Sequence, residues 1–350
     1  MNSQKINFNK LVSNKNSPYF IAEIGVNHNG NIKLAKAMIL AAKSSKASAV
    51  KFQTFRADNL VTPKTPKVSY QKKYTPRNQS HYDMIRSLEL TDKMHYEIYN
   101  FCQKHKIDFI STPYGINEAK FLNRLGCKVF KTASADLVDL EMHDYLARKK
   151  KIVLISVGMS TMNEIQECVK IYKKYKNNKF ILLHCVSNYP CSYESLNLNV
   201  IKKLKSVFGC EIGFSDHSIG PNAAILSYAL GCKVIEKHFT TNKKLKGPDQ
   251  AASVLPNDFL RMVQEVHNSK LILGNDKKKC QKEEKLMSLV SRKSLTLVKD
   301  LNKNTILKKK HLQLKRPGTG LYYNKLKFIL GKKLKYNLQK NYQPKLKDFK

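Results

Sequence analysis

The chain has no tryptophan, only eight arginines among its 64 basic residues, and no Cys-x-x-Cys pair among its eight cysteines. Each shortage removes a class of protein. Arginine is the residue suited to bidentate recognition of bases and phosphodiesters, so its scarcity, with lysines spread through every segment, argues against a nucleic-acid reader despite a formal net charge of +38. The charge reads as a compositional bias that would still draw a small anion toward any cleft. The cysteines, at 102, 127, 168, 185, 191, 210, 232 and 280, sit mostly in apolar segments and are expected to be reduced core thiols. Cys185 and Cys191 flank one strand tip and are the pair to watch. No apolar run approaches the roughly 18 residues of a membrane span, and residues 1–17 lack the apolar middle of a secretory signal, so the expected location is the cytoplasm, with no membrane and no nucleic-acid partner.

What is present is alternation. β-rich runs at 20–25, 49–55, 108–113, 128–134, 151–158, 179–187, 211–217 and 232–239 are separated by amphipathic segments such as 33–46, 92–106, 116–125, 140–149 and 162–175, with 221–230 before the last run and 257–273 after it. Eight strand and helix units are the count expected of a TIM (β/α)8 barrel, an α/β fold in which chemistry sits at the carboxyl ends of the strands. The polar residues follow that rule. The first run ends in Glu23 and then Asn27-His28, the second carries Lys51 and Gln53, and the third ends Ser111-Thr112. The fourth offers Lys131, Ser134 and Asp136, the fifth Ser156, and the sixth His184, Ser187 and Tyr189. The seventh ends Ser215-Asp216-His217 and the eighth Glu236-Lys237-His238.

Neighbouring parallel strands bring their ends side by side, so His217 and His238 are a candidate pair for one metal ion. Two satisfied strand-end histidines are the plain alternative. Lys51 and Lys131, with the hydroxyls of Thr112, Ser134, Ser156 and Ser215, would surround an oxyanion with charge and donors.

A long loop at 59–80, rich in Pro, Tyr and Lys, reads as a lid or binding loop, in which Tyr70, Gln71 and Asn78 are candidates to face a polar ligand. The expected organisation is a barrel over 1–274, a charged linker over 275–288 and a small β-rich module over 289–350. That module carries a short repeat: Lys299-Asp300-Leu301-Asn302-Lys303-Asn304 is echoed by Tyr336-Asn337-Leu338-Gln339-Lys340-Asn341. Asn tolerates positive φ, so each copy predicts a tight turn. Between them, Arg316-Pro317-Gly318-Thr319-Gly320 is a rigid loop able to hold a guanidinium toward an acceptor.

The motifs Ile21-Ala22-Glu23-Ile24-Gly25-Val26-Asn27-His28-Asn29-Gly30, Lys51-Phe52-Gln53-Thr54-Phe55, Ser111-Thr112-Pro113, Phe214-Ser215-Asp216-His217 and Ile235-Glu236-Lys237-His238-Phe239, with Gly247-Pro248-Asp249 and Lys315-Arg316-Pro317-Gly318, occur in one order. In that order and spacing the chain resembles the sialic acid synthase family over nearly its whole length. The resemblance implies a barrel followed by an antifreeze-like (SAF) domain. It also implies condensation of phosphoenolpyruvate with an N-acylated hexosamine to a nine-carbon 3-deoxy-2-keto acid and phosphate. N-acetylmannosamine giving N-acetylneuraminate is the expected acceptor, and a 2,4-diacetamido-trideoxyhexose leading to legionaminic or pseudaminic acid is the alternative. It further implies Mn²⁺ or Mg²⁺ on His217 and His238, with Glu23 as the proton-handling group. Phosphoenolpyruvate contacts would come from Lys51, Thr112, Lys131, Ser134, Ser156, Ser187 and Ser215, and sugar contacts from Gln53, Asp136, Tyr189 and Asp249. Arg316 would act in the barrel of the other subunit of a domain-swapped homodimer.

The departures from the family pattern are Ser134-Ala135-Asp136, Val157, Ser187, Asn304, Asn341 and Gln250-Ala251, the last expected to bear on acceptor choice. Two rival readings stay open: a metal-free barrel lyase or aldolase with Lys51 or Lys131 as Schiff-base amine, and a non-catalytic basic binding protein.

Overall fold

Eight parallel strands close on themselves in chain order in the computed structural model, which describes residues 6–13, 18–76 and 78–350, with only the backbone of 69, 70 and 73. The expected ligand contact of the Tyr70 side chain therefore lies outside the described residues. The strands are β1 Tyr19–Gly25, β2 Ala49–Thr54, β3 Asp108–Pro113, β4 Val129–Thr132, β5 Ile152–Ser156, β6 Phe180–His184, β7 Glu211–Asp216 and β8 Val234–His238. β1 pairs with β8 as well as β2, so the sheet has no edge and forms a TIM barrel. Amphipathic helices cover it, including Ile32–Ser44, Asp92–Lys104, Leu140–Arg148, Met162–Lys174 and Pro256–Leu273. The first four start on side-chain caps, such as the Thr161 and Glu164 capping box ahead of Met162–Lys174, and the last starts with Pro256.

Strand alternation explains how one sequence builds both a dry core and a polar site. Inside the barrel, Tyr19, Ile21, Ala49, Ile110, Val129, Leu154, Ile181 and Val234 form one apolar cluster. Two residues further along the same strands come Glu23, Lys51, Thr112, Lys131, Ser156 and Glu236, which line a cavity. Residues i and i+2 share a face, so the apolar layer supports the polar one directly. From the amino side the barrel is plugged by the helix Phe8–Val12, whose Leu11 joins the inner cluster. Lys10 Nζ and Tyr19 Oη both reach Asp108 Oδ2 at 2.7 Å.

The loop after β2 has its own structure: helices run over Ala57–Leu60, Ser69–Tyr74 and His81–Ser87. Val26, Phe55, Met84 and Leu88 pack beneath it as a separate apolar cluster.

Residues Met1–Gly274 form one compact unit and Asn275–Lys350 another. In the second, β9 Ser294–Leu297 pairs antiparallel with β10 Leu312–Lys315 around a core of Leu295, Leu297, Leu307, Ile329 and Leu334. The repeat copies face each other: Leu301 and Leu338 exchange backbone bonds of 2.9 Å each way. Asn337 Oδ1 accepts from the Lys303 amide at 2.7 Å, and Asp300 Oδ1 from the Lys340 amide at 2.6 Å. Asp300 and Asn337 hold equivalent places in the repeat, so these bonds are reciprocal. Asn304 and Asn341 have φ of 65° and 69°, as tight turns on Asn require. The segment expected as linker differs in part, because its last residues enter the helix Glu284–Ser291, whose Leu289 carbonyl accepts the Gly318 amide.

Candidate active site

The carboxyl ends of the strands enclose a cavity of about 410 Å³, large enough for small ligands. Glu23, Lys51, Gln53, Thr112, Lys131, Ser134, Ser156, Ser187, Tyr189, Ser215, His217, His238 and Asp249, all expected site residues, line it. Two expected site residues do not. Asp136 stands in the 3-10 turn Ser134–Val138, which carries it off the lining, and burial with Asp139 nearby pushes its carboxyl up to about 7. Arg316 belongs to the second unit, where it is exposed just after β10.

Two charged clusters face each other across the floor. Lys51 Nζ lies 2.7 Å from Glu23 Oε2 and 3.9 Å from Glu236 Oε2, and donates to Thr112 Oγ1 at 3.0 Å. Burial works to lower the Lys51 pKa, but Glu23 and Glu236 outweigh it and raise it, so the ammonium is held as a cation. Glu23 is buried and its pKa is raised, first by desolvation and then by Glu236, against the pull of Lys51; Gln53 Nε2 donates to its other oxygen at 3.1 Å. The chain leaves β1 through Gly25 at φ 54°, where a Cβ would lie 3.0 Å from that same Glu23 oxygen.

Lys131 is the second cluster's centre. Its ammonium donates to the Thr132 carbonyl at 2.9 Å and to Ser156 Oγ. Among the described residues no carboxylate lies within ion-pair distance, and burial lowers its pKa. Around it, Gly158 brings backbone against side chains: a Cβ there would sit 2.8 Å from both Ser134 Oγ and Ser187 Oγ, and its amide donates to Ser134 Oγ at 3.1 Å. Cys185 Sγ lies 3.1 Å from Ser134 Oγ and lines the same wall, whereas Cys191 does not line the cavity.

The two imidazoles sit with ring centroids 5.5 Å apart, and Tyr189 packs on both, at 4.2 Å from His217 and 5.3 Å from His238. His217 Nδ1 donates to the Val186 carbonyl at 2.7 Å, which leaves Nε2 as the lone-pair nitrogen, 3.4 Å from Ser215 Oγ. His238 Nδ1 is buried without a hydrogen-bond partner, 4.0 Å from Asp249 Oδ2. Burial lowers both imidazole pKa values, keeping the rings neutral. A neutral ring oriented by a second-shell carbonyl beside an unpartnered one fits a divalent ion with two protein ligands and open positions. No group of three or more His, Cys, Asp or Glu is gathered for one ion among the described residues.

Sequence reasoning assigned no role to Glu236, although it stands in the recognised strand tip. Its pKa is lowered: burial opposes, but Lys51 and Lys131 prevail, and Ser215 Oγ donates to it at 2.8 Å. The apolar side of the cavity, Val26, Phe55, Leu60, Met84, Ile85 and Leu88, was also unforeseen, because all of it but Val26, which follows β1, comes from the loop beyond β2. Other tip residues fall outside: Asn27, His28, Ser111, Asp216 and Lys237 are buried off the lining, and His184 is bonded to the Leu196 carbonyl at 2.7 Å. Gln250, expected to bear on the acceptor, is buried away from the cavity, its Nε2 donating to the Asn27 carbonyl at 2.7 Å and its Oε1 accepting from Thr240.

Comparison with known proteins gives this barrel a family. The NeuB family model matches residues 38–278. N,N'-diacetyllegionaminic acid synthase of Legionella pneumophila is 38% identical over 340 residues, covering 96% of each chain. The Campylobacter jejuni protein of the same name is 37% identical, covering 89% of this chain and 94% of its own. The crystal structure of N-acetylneuraminic acid (sialic acid) synthetase from Leptospira borgpetersenii, in complex with citrate, aligns with TM-score 0.68 at 32% identity, over 81% of this chain and 95% of that one. The chain belongs to the NeuB family and is an enzyme of that family. No described helix is long and apolar enough to cross a membrane.

Proposed function

We propose that the chain joins phosphoenolpyruvate to the open-chain aldehyde of a neutral N-acylated amino sugar, giving a nine-carbon 3-deoxy-2-keto acid and phosphate. The observation that carries this reading is Lys131, a buried ammonium with no carboxylate partner among the described residues, which donates to Ser156 Oγ and shares the cavity lining with Ser134, Ser187 and Ser215. That is a cradle for a small dianion. Lys51 and Thr112 extend it toward a second anionic group.

In this reading the enol carbon of phosphoenolpyruvate forms a bond to the aldehyde carbon, and the aldehyde oxygen takes up a proton. Water adds to the resulting oxocarbenium carbon, and phosphate then leaves from the tetrahedral intermediate as the ketone forms. Glu23, with its raised pKa and Lys51 at hand, is placed to take the water's proton. A divalent ion held by His217 and His238 would supply Lewis acidity at a carbonyl oxygen. Gln53, Tyr189 and Asp249 orient the sugar. We place the second unit as an antifreeze-like module of a homodimer, with Arg316 reaching the acyl group in the partner subunit's barrel.

The acceptor reading moves from N-acetylmannosamine to a 2,4-diacetamido-trideoxyhexose. Two of the three relatives above carry the legionaminic name, the third being a sialic acid synthetase, and the cavity presents Leu60, Met84, Ile85 and Leu88, suited to a deoxy methyl group. The lysines of the lining, Lys51 and Lys131, both come from strands, so among the described residues the loop beyond β2 brings no lysine or arginine to the cavity for a sugar phosphate. Phosphate release should be compared with the trideoxyhexose, N-acetylmannosamine and its 6-phosphate. Faster turnover of the trideoxyhexose supports the assignment, preference for N-acetylmannosamine restores the first expectation, and no release with any of them removes the reading.

A further inference from the structure

We infer that Asp216 and Lys237 are positioning residues for the two imidazoles that follow them in sequence. They are Cα partners on the last rung of the β7 and β8 ladder, and strand alternation turns them away from the cavity that Ser215, Glu236 and His238 line. Lys237 Nζ lies 2.5 Å from Asp216 Oδ2 and donates to the Ser218 carbonyl at 2.7 Å. Asp216 Oδ1 accepts from the Ser218 amide at 2.8 Å and from Ser218 Oγ at 2.7 Å. The two side chains are 4% and 0% exposed. Both charges are thus satisfied in a dry place, and the turn that begins at His217 is tied to the strand that ends at His238.

A buried ion pair is a weak source of stability, because apolar chains of similar volume often replace it without loss. What this pair does is fix geometry. The ladder stops at Asp216 and Lys237, and His217 lies one residue beyond it. Ser218, clamped by both charges, closes the turn so that the His217 carbonyl meets the Cys191 amide at 2.8 Å and Nδ1 meets Val186. The spacing of the two rings is therefore set from the far side of the sheet. Second-shell groups of this kind typically change metal affinity by about 10- to 100-fold.

The inference rests on the reading of His217 and His238 as ligands, and the test separates the two. Mn²⁺ is titrated into the full chain and the free ion followed by electron paramagnetic resonance, with thermal midpoint and phosphoenolpyruvate affinity measured alongside. Wild type should bind Mn²⁺ and His217→Ala should lose it; no such loss would overturn the ligand reading and the clamp with it. The double variant Asp216→Leu with Lys237→Met, which removes both charges, should keep its midpoint and its phosphoenolpyruvate affinity while Mn²⁺ binds at least ~10-fold more weakly. Should that variant not fold, Asp216→Asn, of nearly the same shape, is measured in the same way: its midpoint should fall because the buried Lys237 charge is left unpaired, while Mn²⁺ binds at least ~10-fold more weakly and phosphoenolpyruvate affinity is kept. Wild-type Mn²⁺ affinity in either folded variant, or a loss of phosphoenolpyruvate affinity of equal size, makes the pair merely structural.

Discussion

Glu23 and Gly158 show how a single residue's environment sets its work. Glu23→Gln keeps the shape and the Gln53 contact but removes the proton acceptor. It should bind phosphoenolpyruvate nearly as before and turn over at least ~100-fold more slowly, the usual scale for losing a general acid or base. Wild-type turnover in a single-turnover assay would take Glu23 out of the mechanism. Gly158→Ala tests the cradle instead. The added carbon would lie 2.8 Å from two serine oxygens and 2.9 Å from Cys185 Sγ, so those side chains must move out of the anion's place. The apparent Michaelis constant for phosphoenolpyruvate should rise at least ~10-fold with little change in that of the sugar, the signature of lost substrate binding. An unchanged constant would mean that the serines do not hold the anion.

At the scale of elements, strands were read more easily than what lies between them. A run such as 108–113 is short and bounded on both sides, and β3 Asp108–Pro113 occupies it. The runs at 128–134 and 179–187 overshoot β4 and β6, because residues past a strand end continue into the site loops, half-buried apart from the buried Cys185, without ladder pairing. The helices Ser69–Tyr74 and Val200–Phe208 were missed: the first is short, inside a stretch rich in Lys and Pro, and the second is flanked by Asn on one side and Gly on the other, with only Ile201, Leu204 and Phe208 buried. Site residues at strand tips follow from alternation, whereas the lid's contribution depends on how a loop folds back, which spacing does not encode. Asp136 was misplaced because a 3-10 turn rotates side chains differently from a strand.

The outer ring of helices also carries a pH dependence. His143, on the helix Leu140–Arg148, is fully buried against Tyr172 Oη at 3.0 Å, and burial lowers its pKa to about 4. An imidazole with a depressed folded pKa contributes stability that is complete above its unfolded value and lost as pH falls. Asp136 and Asp249, raised to about 7, act in the opposite sense, so the comparison is with His143→Gln, in which their effects cancel. Between the unfolded value near pH 6.5 and pH 4, wild type should lose about 1.4 kcal/mol per pH unit relative to the variant. A pH-independent difference in urea midpoints would contradict this account of His143.

For the whole molecule, the question is what the second unit does for the first. All eight strands and the helix Pro256–Leu273 are complete before Asn275, so a chain ending at Gly274 is expected to fold. It should nonetheless lose activity if Arg316 completes the site of a partner subunit. Arg316→Ala should weaken the sugar's apparent affinity and leave that of phosphoenolpyruvate alone. Mixed with Glu23→Gln subunits it should regain activity in heterodimers, where one composite site holds both original residues. No recovery in verified heterodimers would mean that Arg316 works in its own barrel or not at all. The net charge of +38 plays no part in this argument beyond drawing anions to the cavity.

The central claim is that the enzyme makes a carbon–carbon bond to phosphoenolpyruvate and releases phosphate by breaking the carbon–oxygen bond. It is tested most directly with phosphoenolpyruvate carrying oxygen-18 at the bridging position, incubated with the enzyme, the diacetamido sugar and Mn²⁺. Mass spectrometry should show one nine-carbon keto acid for each phosphate, with the heavy oxygen in the phosphate and none made when the sugar is omitted. Phosphate formed without the sugar, or phosphate lacking the heavy oxygen, would contradict the account.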